Sequence, residues 1–343
     1  MIRRDASLVV LGCFTLLLAQ DPPDGPGSEK ARKTFREAVE FEKKHDTFWA
    51  LDRYKKADKQ DGGRCTACQM KMIRYGIERG DWKAAETGAA GLVAGAKSDR
   101  EVATAHYLSG LVWFNEGIHR KKDELFARSH EEMAKALAAS SDFPEAVIGD
   151  GRALARMKQD DAAKARFEQY VKMAPADDPD RKRALRYIER PELARARMAP
   201  PFVVTTLDGK RISMDDLQGK VVLLDFWATW CGPCREALPR IRGIVKRFEG
   251  QPLVVLSVSL DTDEGKWREF VSKNGMSWPQ YRDGGFEGPV AGLFGVKAIP
   301  HTFTIDADGV LQDEHVGDAA IEGKIKKLLA QAKETPQTTK AGP

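Results

Sequence analysis

The fold of the C-terminal part of the chain is indicated by residues 221–234, which read VVLLDFWATWCGPC. The run from Val221 to Trp227 is apolar except for Asp225, as expected of a strand that is buried on both faces of a sheet. A helical pattern follows from Cys234 to about Phe248. The stretch therefore predicts a buried strand that leads into a pair of cysteines at the start of a helix.

Cys231 and Cys234 have the spacing and the position of a reactive thiol pair. The nucleophile in thiol–disulfide exchange is a thiolate, and a helix N-terminus stabilises an anion through free backbone N–H groups and the helix dipole. Cys231 is therefore expected to attack a substrate disulfide, and Cys234 to resolve the mixed disulfide. A zinc site is the alternative, but it normally needs four ligands, and no nearby His or Cys pair supplies the other two. We predict no bound metal and no cofactor other than the redox-active disulfide.

The flanking sequence alternates between strands and helices, which indicates an α/β layer fold. Asp208-Gly209 and Asp308-Gly309 are hairpin-turn signals. The predicted strands are 202–204, 221–227, 253–260, 302–305 and 310–315, and the predicted helices are 234–248, 265–274 and 321–332. These elements predict a central mixed sheet that is flanked by helices.

From about Ala199 to Ala332 the chain resembles the thioredoxin superfamily, because Asp225-Phe226-Trp227-Ala228 precedes Trp-Cys-Gly-Pro-Cys. It resembles the exported TlpA-like branch in Pro200-Pro201-Phe202 and Gly219-Lys220. Two further features are shared with that branch: Arg235 followed by Pro239, and extra residues between Leu253 and Pro279. The resemblance implies a thioredoxin fold and a thiol-disulfide oxidoreductase.

The resemblance also implies roles for single residues. Asp225 would transfer protons to or from Cys234 through water; the alternative is a hydrogen-bonded structural carboxyl. Pro300 would be the family's cis-proline, which leaves the Ile299 backbone free to pair with an extended substrate; the alternative is an ordinary trans turn. The remaining substrate-binding candidates are Trp230, Gly232 and Pro233.

Two positions depart from the family pattern. His301 stands where the family usually has Thr, and it could tune the thiolate or be an ordinary core or surface histidine. The strand 253–260 carries no Lys, although cytosolic thioredoxins have one near the buried acid. These departures leave the reduction potential open.

Residues 29–190 show a helical pattern with degenerate repeats. The segment 50–57 looks like the second helix of a hairpin, and a similar segment begins at Gly80 near the 34-residue period of helical hairpins. The region resembles three to four tetratricopeptide repeats that end in a capping helix, 179–189. About seven extra residues lie around 119–126. A generic helical bundle is the alternative.

Cys65 and Cys68 form a second C-x-x-C pair, at the start of a predicted helix. Gln69 follows Cys68, so the haem-attachment pattern C-x-x-C-H is absent. Three interpretations remain open: a local disulfide or dithiol without a catalytic role, a redox relay to the C-terminal pair, and metal binding.

The N-terminus has the layout of a secretory signal peptide. Arg3 and Arg4 precede an apolar run, 6–19, which is short for a membrane span. We expect residues 1–20 to be a signal peptide, so that the protein is periplasmic or otherwise extracytoplasmic; an uncleaved signal would act as a membrane tether. Cys13 faintly resembles a lipoprotein cysteine, but the apolar run continues past it.

The predicted domain organisation therefore has six parts: signal peptide 1–20, linker 21–28, repeat domain 29–190, linker 191–199, thioredoxin-like domain 200–332 and disordered tail 333–343.

The composition does not indicate a nucleic-acid-binding protein. The formal net charge is only +4 over 343 residues, and the basic residues are mixed with nearly as many acids. The leading hypothesis is a reductase of exported client proteins, for example in cytochrome c maturation and cell redox homeostasis. It would receive electrons from a membrane or periplasmic donor and bind a protein partner on its repeats. The alternative is a repeat scaffold with an auxiliary thioredoxin domain. A peroxidase is disfavoured, because peroxiredoxins need a Thr where this chain has Ala228.

Overall fold

The computed structural model describes residues 25–176, 178–317 and 321–334. The chain divides into two compact units, the first ending at Arg195 and the second beginning at Ala196. The predicted signal peptide, the first half of the linker 21–28 and most of the tail 333–343 lie outside the described residues.

The first unit is helical throughout its described part, as the sequence predicts. Its helices are α1 Glu29–Lys43, α2 Thr47–Gln60, α3 Thr66–Arg79, α4 Trp82–Gly95, α5 Asp99–Arg120, α6 Glu124–Ala139, α7 Pro144–Arg156, α8 Asp160–Met173 and α9 Pro179–Glu189, followed by a 3-10 turn at Pro191–Arg195. Helices α1 and α2, α3 and α4, α5 and α6, and α7 and α8 pack as hairpins. Side-chain caps begin several of them, such as Asp81 for α4 and the Ser98–Glu101 capping box of α5.

Glycines allow the paired helices to approach closely. A Cβ atom on Gly88 of α4 would lie 2.6 Å from the backbone oxygen of Gln69 in α3, and one on Gly151 would lie 2.6 Å from the Phe167 ring. The extra residues of the third hairpin lengthen α5, which has 22 residues. The hairpins are therefore packed through small residues at their crossings.

The second unit contains a five-stranded sheet with the order β5-β4-β3-β6-β7 and a separate two-stranded hairpin, β1-β2. The strands are β1 Val203–Thr205, β2 Arg211–Ser213, β3 Val221–Trp227, β4 Leu253–Ser259, β5 Gln280–Arg282, β6 His301–Ile305 and β7 Leu311–Val316. The helices are α10 Gly232–Arg247, α11 Glu264–Lys273, α12 Pro289–Leu293 and α13 Glu322–Glu334, and a 3-10 turn covers Asp215–Leu217. This is the predicted α/β fold with a mixed sheet flanked by helices.

The central strand β3 determines the geometry of the unit. All seven of its residues are buried; β4 pairs with it in parallel and β6 pairs with it antiparallel. The apolar side chains of β3 join one core with those of α10 and α13, including Ile244 and Ile325. This burial explains why the sequence of β3 lacks the alternation of a half-exposed strand.

Some element bounds differ from those predicted. The predicted linker 191–199 contains the 3-10 turn at Pro191–Arg195, and Ala199 donates its backbone N–H to the carbonyl of Gly309 in the second unit. The last helix continues to Glu334. The strand β2 and the short helix α12 lack a strong pattern in the sequence and are revealed only by the structure.

Among the described helices, none is both long enough and apolar enough to cross a membrane.

Candidate functional site

Strand β3 and helix α10 place the two C-terminal cysteines side by side. Cys231 is the N-cap of α10, and its Sγ accepts a hydrogen bond from the backbone N–H of Cys234 at 3.2 Å. The two residues form a disulfide. Pro233 fits the first turn of the helix, where a backbone N–H has no intrahelical acceptor. The sulfur that caps the helix is therefore the atom that the helix N-terminus would stabilise as a thiolate.

The disulfide is largely buried, but it lies next to an exposed side chain. Cys231 and Cys234 are each 6% exposed, whereas the neighbouring Trp230 is 60% exposed. Gly232 is half-buried and Pro233 is exposed. A large aromatic side chain is therefore exposed beside a shielded disulfide.

The residue pair Thr229 and Asp261 anchors the loop that carries Cys231. Asp261 is 3% exposed, and its carboxylate accepts hydrogen bonds from the Thr229 backbone N–H at 3.0 Å and from the Thr229 hydroxyl at 2.6 Å. Ser259 donates a third hydrogen bond to it at 2.6 Å. These bonds tie the segment before Cys231 to the end of β4.

Asp225 is a buried carboxyl in the middle of the sheet. Burial raises its pKa to about 6, and the hydroxyl of Ser257 and the positive charge of Arg240 partly oppose this increase. Because this pKa lies about one pH unit below neutral, the carboxyl can both take up and release a proton near neutral pH.

Ser257 and Trp278 form a hydrogen-bonded chain to Asp225. The Ser257 hydroxyl lies 2.9 Å from Oδ2 of Asp225, and the indole Nε1 of Trp278 donates to the same hydroxyl at 2.9 Å. Ser257 lies opposite Asp225 in the parallel register of β4 and β3. Strand β4, which lacks the Lys that cytosolic thioredoxins have near the buried acid, therefore contacts Asp225 through the hydroxyl of Ser257.

Pro300 lies at the same end of the sheet as the disulfide. The peptide bond between Ile299 and Pro300 is cis, which confirms that prediction. Strand β6 begins at His301 and pairs antiparallel with the end of β3, so the residues before His301 lie where β3 leads towards Cys231. The Pro300 carbonyl accepts a hydrogen bond from Gly317 at 2.8 Å. Pro300 is buried and Ile299 is half-buried.

His301 is a core residue in this fold. It is 3% exposed, and its ring stacks on Phe303 with the ring centroids 4.4 Å apart. Its Nε2 lies 3.4 Å from Oε1 of Glu314, and Arg197 donates to Oε2 of the same carboxylate at 3.0 Å. These two neighbours, His301 first, lower the pKa of Glu314. The structure therefore gives His301 a packing role and an acidic neighbour.

The second cysteine pair repeats the local geometry of the first. Cys65 is the N-cap of α3, its Sγ accepts from the Cys68 backbone N–H at 3.2 Å, and the two residues form a disulfide. A buried carboxyl, Asp58, accepts from the Cys65 backbone N–H at 3.2 Å, and burial raises its pKa. Unlike the C-terminal pair, however, Cys65 and Cys68 are only 1% and 0% exposed.

The two cysteine pairs belong to different units of the chain. In the second unit, Asp225 lies in the sheet, and Cys231, Cys234 and Pro300 lie beside it. Cys65 and Cys68 lie among the helices of the first unit. Within the described residues, no group of three or more His, Cys, Asp or Glu side chains is arranged to hold a metal ion.

Sequence patterns did not single out three residues of the site: Ser257, Asp261 and Thr229. Ser257 is one of two serines, with Ser259, in an otherwise apolar strand, which is a detectable signal. Its contact with Asp225 depends on the register of β3 and β4, which the sequence does not specify.

Comparison with known proteins places these features in a family. The model of the AhpC/TSA family matches residues 196–314. "Thiol-disulfide oxidoreductase ResA" of Bacillus anthracis is 31% identical over 145 residues, which cover 41% of this chain and 83% of that protein. "Thioredoxin-like protein YneN" of Bacillus subtilis is 35% identical over 133 residues, which cover 38% of this chain and 76% of that protein.

Among solved structures, the chain is similar to a thiol:disulfide interchange protein of the thioredoxin family from Chlorobium tepidum. The identity is 27%, the TM-score is 0.35, and the match covers 39% of this chain and 97% of the other. The family match falls within the second unit, which begins at Ala196. Since the match to ResA extends over most of that relative's length, this chain belongs to the ResA-like thiol-disulfide oxidoreductases, with a thioredoxin-like domain preceded by a helical one.

Proposed function

We propose that this oxidoreductase is exported and reduces disulfides in client proteins through the dithiol form of Cys231 and Cys234. The observation that carries the proposal is the position of Cys231. It caps α10, it lies beside the exposed Trp230, and the cis-proline segment is at the same end of the sheet. A thiolate at this place has a stabilised charge and a contact surface for a polypeptide.

The proposed reaction has two exchange steps. The Cys231 thiolate attacks a client disulfide, which forms a mixed disulfide and releases one client thiolate. Cys234 then loses its proton and attacks the sulfur of Cys231, which releases the second client thiolate. The client gains two electrons and two protons, and the Cys231–Cys234 pair becomes a disulfide. A membrane or periplasmic thiol donor must return two electrons before the next cycle.

Asp225 is the proposed proton carrier for the second step. Its pKa of about 6 allows it to accept the Cys234 proton as the thiolate forms and to return a proton when the pair is reduced again. Ile299 and Pro300 would present the substrate, because a half-buried backbone segment before a buried cis-proline can pair with an extended client strand.

The proposed location is extracytoplasmic. It rests on the basic and apolar N-terminal segment, 1–20, which has the layout of a signal peptide. A reductant in such a compartment could serve cytochrome c maturation and cell redox homeostasis, and an uncleaved signal would tether it to the membrane.

The helical unit is proposed to be a tetratricopeptide-like domain that docks a protein partner. The support is its series of helical hairpins, whose crossings contain glycine. Phe48 and Trp49 at the start of α2 also have 55% and 45% of their surface exposed, and aromatic residues are enriched at protein interfaces.

Insulin reduction tests the enzymatic proposal. The wild type should reduce insulin disulfides in the presence of a small dithiol, and Cys231→Ser should reduce the rate to that of the dithiol alone. Equal and negligible rates for both proteins would instead favour the alternative function, a repeat scaffold with an auxiliary thioredoxin domain.

The direction of electron flow needs a separate measurement. The reduction potential of the C-terminal pair, measured against glutathione in the Cys65→Ala/Cys68→Ala background, should be of the order of −270 mV, as for thioredoxin. A value near about −120 mV, typical of a strong oxidant, would contradict a reductase.

A further inference from the structure

The hydrogen-bonded chain Trp278–Ser257–Asp225 has a direction, which follows from the chemistry of its members. An indole N–H can only donate, whereas a serine hydroxyl has one proton and two acceptor lone pairs. Trp278 Nε1 donates to Ser257 Oγ at 2.9 Å and so occupies one lone pair. The hydroxyl proton is then the part of Ser257 that points towards Oδ2 of Asp225, also at 2.9 Å.

A hydrogen bond that is donated to a carboxylate stabilises the charged form and lowers the pKa of the carboxyl. Burial acts on Asp225 in the opposite direction and is the larger effect. The pKa of the carboxyl is therefore a balance between an apolar sheet that favours the protonated form and a donor that favours the ionised form.

We propose that Ser257, held by Trp278, is a positioning residue whose hydrogen bond orients the Asp225 carboxyl for proton exchange with the cysteine pair. This proposal rests on the function proposed above.

The hydrogen-bonded residues Trp278, Ser257 and Asp225 are shielded from water. Ser257 is 0% exposed and Trp278 is 6% exposed, so water does not readily replace either group. The backbone also fixes Ser257, because its N–H donates to the Pro279 carbonyl at 3.1 Å. A hydrogen bond in such surroundings is stronger than one in water.

Asp225 also has neighbours in the sheet and a charged group on α10. In the sheet, its partner on β4 is Ser257 and its partner on β6 is Thr302, and neither residue carries a charge. From α10, the positive charge of Arg240 lowers the pKa. The Cys231–Cys234 pair adds a thiolate only when it is reduced, so the oxidised protein isolates the contribution of Ser257.

A carbon-13 NMR titration of the Asp225 carboxyl in the oxidised full-length protein tests the proposal directly. Ser257→Ala should raise the pKa by about one pH unit above the wild-type value, since hydrogen bonds to charged groups are worth more than those between neutral groups. Trp278→Phe keeps the ring but removes the N–H, so it should raise the pKa by less. Ser257→Thr keeps the hydroxyl and should restore the wild-type value.

The pH profile of insulin reduction provides the functional readout. Ser257→Ala should move the acidic limb of the profile to higher pH by about one unit, which is an approximately tenfold lower proton concentration, in step with the NMR value. In the Asp225→Asn background, Ser257→Ala should leave the profile unchanged, because the carboxyl through which it acts is absent.

An unchanged Asp225 pKa in folded Ser257→Ala would overturn the proposal, as would an equal profile shift in the Asp225→Asn background. If Ser257→Ala does not fold, Trp278→Phe provides the same comparison. Failure of the proposed function is distinguishable, because the NMR titration does not depend on activity. If the wild type does not reduce insulin but the variants show the predicted pKa changes, the proposed function is contradicted and the role of Ser257 is supported.

Discussion

The side chain of Asp261 holds Thr229 by two hydrogen bonds, to the hydroxyl at 2.6 Å and to the backbone N–H at 3.0 Å. Thr229 is two residues before Cys231, so this buried carboxylate anchors the loop that carries this cysteine. Replacing Asp261 would leave several buried donors without an acceptor, and each such donor costs about 1–3 kcal/mol.

We therefore expect Asp261→Ala to lower the free energy of unfolding of the second unit by about 2–4 kcal/mol, since Thr229 and Ser259 lose their acceptor together. Hydrogen exchange of the β3 and β4 amides measures this unit alone. Asp261→Asn keeps the shape of the side chain and one acceptor oxygen, so it should lower the free energy of unfolding by less. Equal protection in wild type and Asp261→Ala would show that the loop does not depend on this anchor.

The buried Asp225 makes the stability of the second unit depend on pH. Its pKa is about 6 in the folded protein and about 3.9 in an unfolded chain, so the folded state holds the proton more tightly. The contribution of this carboxyl to the free energy of unfolding is fully present below about pH 4 and is lost as the pH rises through about 6. A difference of about 2 in pKa corresponds to about 3 kcal/mol.

Asp225→Asn removes this dependence. Relative to wild type, the variant should therefore become more stable by about 3 kcal/mol between pH 4 and pH 7.5, as measured by hydrogen exchange or urea denaturation of the oxidised protein. Parallel stability curves for the two proteins would contradict a raised pKa.

The exposure of the two disulfides predicts different reactivity. Cys65 and Cys68 are almost completely buried, whereas Cys231 and Cys234 are each 6% exposed and lie beside the exposed Trp230. Attack on a disulfide by a nucleophile, whether a thiolate or a phosphine, needs access to sulfur. A limiting phosphine reductant followed by alkylation and mass spectrometry should therefore label the C-terminal pair at least about tenfold faster than the N-terminal pair.

Denaturant serves as the control for this experiment, because it should abolish the difference between the pairs. Equal labelling in the native protein would mean that the first unit opens readily around Cys65 and Cys68, which would favour the relay interpretation of that pair.

Trapping identifies the clients. Cys234→Ser cannot resolve the mixed disulfide, so client proteins should accumulate on Cys231 and appear as dithiothreitol-sensitive adducts on non-reducing gels. The double variant Cys231→Ser/Cys234→Ser is the matched control and should carry none. Equal adducts on both variants would assign the reactive thiol to another cysteine.

The glycines at the helix crossings provide a test of the first unit. A methyl group on Gly88 would lie 2.6 Å from the backbone oxygen of Gln69, which cannot move away as a flexible side chain can. Gly88→Ala should destabilise the unit by about 1–3 kcal/mol. Gly95→Ala in the same helix meets no atom within 4 Å and should be neutral or stabilising by about 0.5–1 kcal/mol. Urea denaturation distinguishes the two, and equal effects would argue against a close crossing.

Much of the second unit can be predicted from sequence because its signals are local. The apolar run of β3, the Asp-Gly turns and the Cys-Gly-Pro-Cys motif each lie within a few residues, and the structure has β3 at the predicted bounds. The cis peptide bond before Pro300 was predicted from the resemblance to thioredoxins rather than from the local pattern. The helical nature of the first unit follows equally from its composition and periodicity.

The remaining features depend on contacts between distant residues. The bonds from Ser257 to Asp225 and from Thr229 to Asp261 each join residues 32 positions apart in the sequence, and they exist only because β3 and β4 pair in one register. The burial of Cys65 and Cys68 likewise results from the packing of helices around them. A spacing pattern cannot distinguish such a buried pair from an accessible one.

The outer strand β7 has a consequence for how clients can bind. It is at one edge of the five-stranded sheet, and its central residues Asp313 and Glu314 are charged and form ion pairs with Lys324 and Arg197. Charged side chains along an outer strand discourage another chain from extending the sheet there. In the function proposed above, a client strand would therefore pair with the short segment at Ile299, beside the disulfide, rather than extend the sheet at β7.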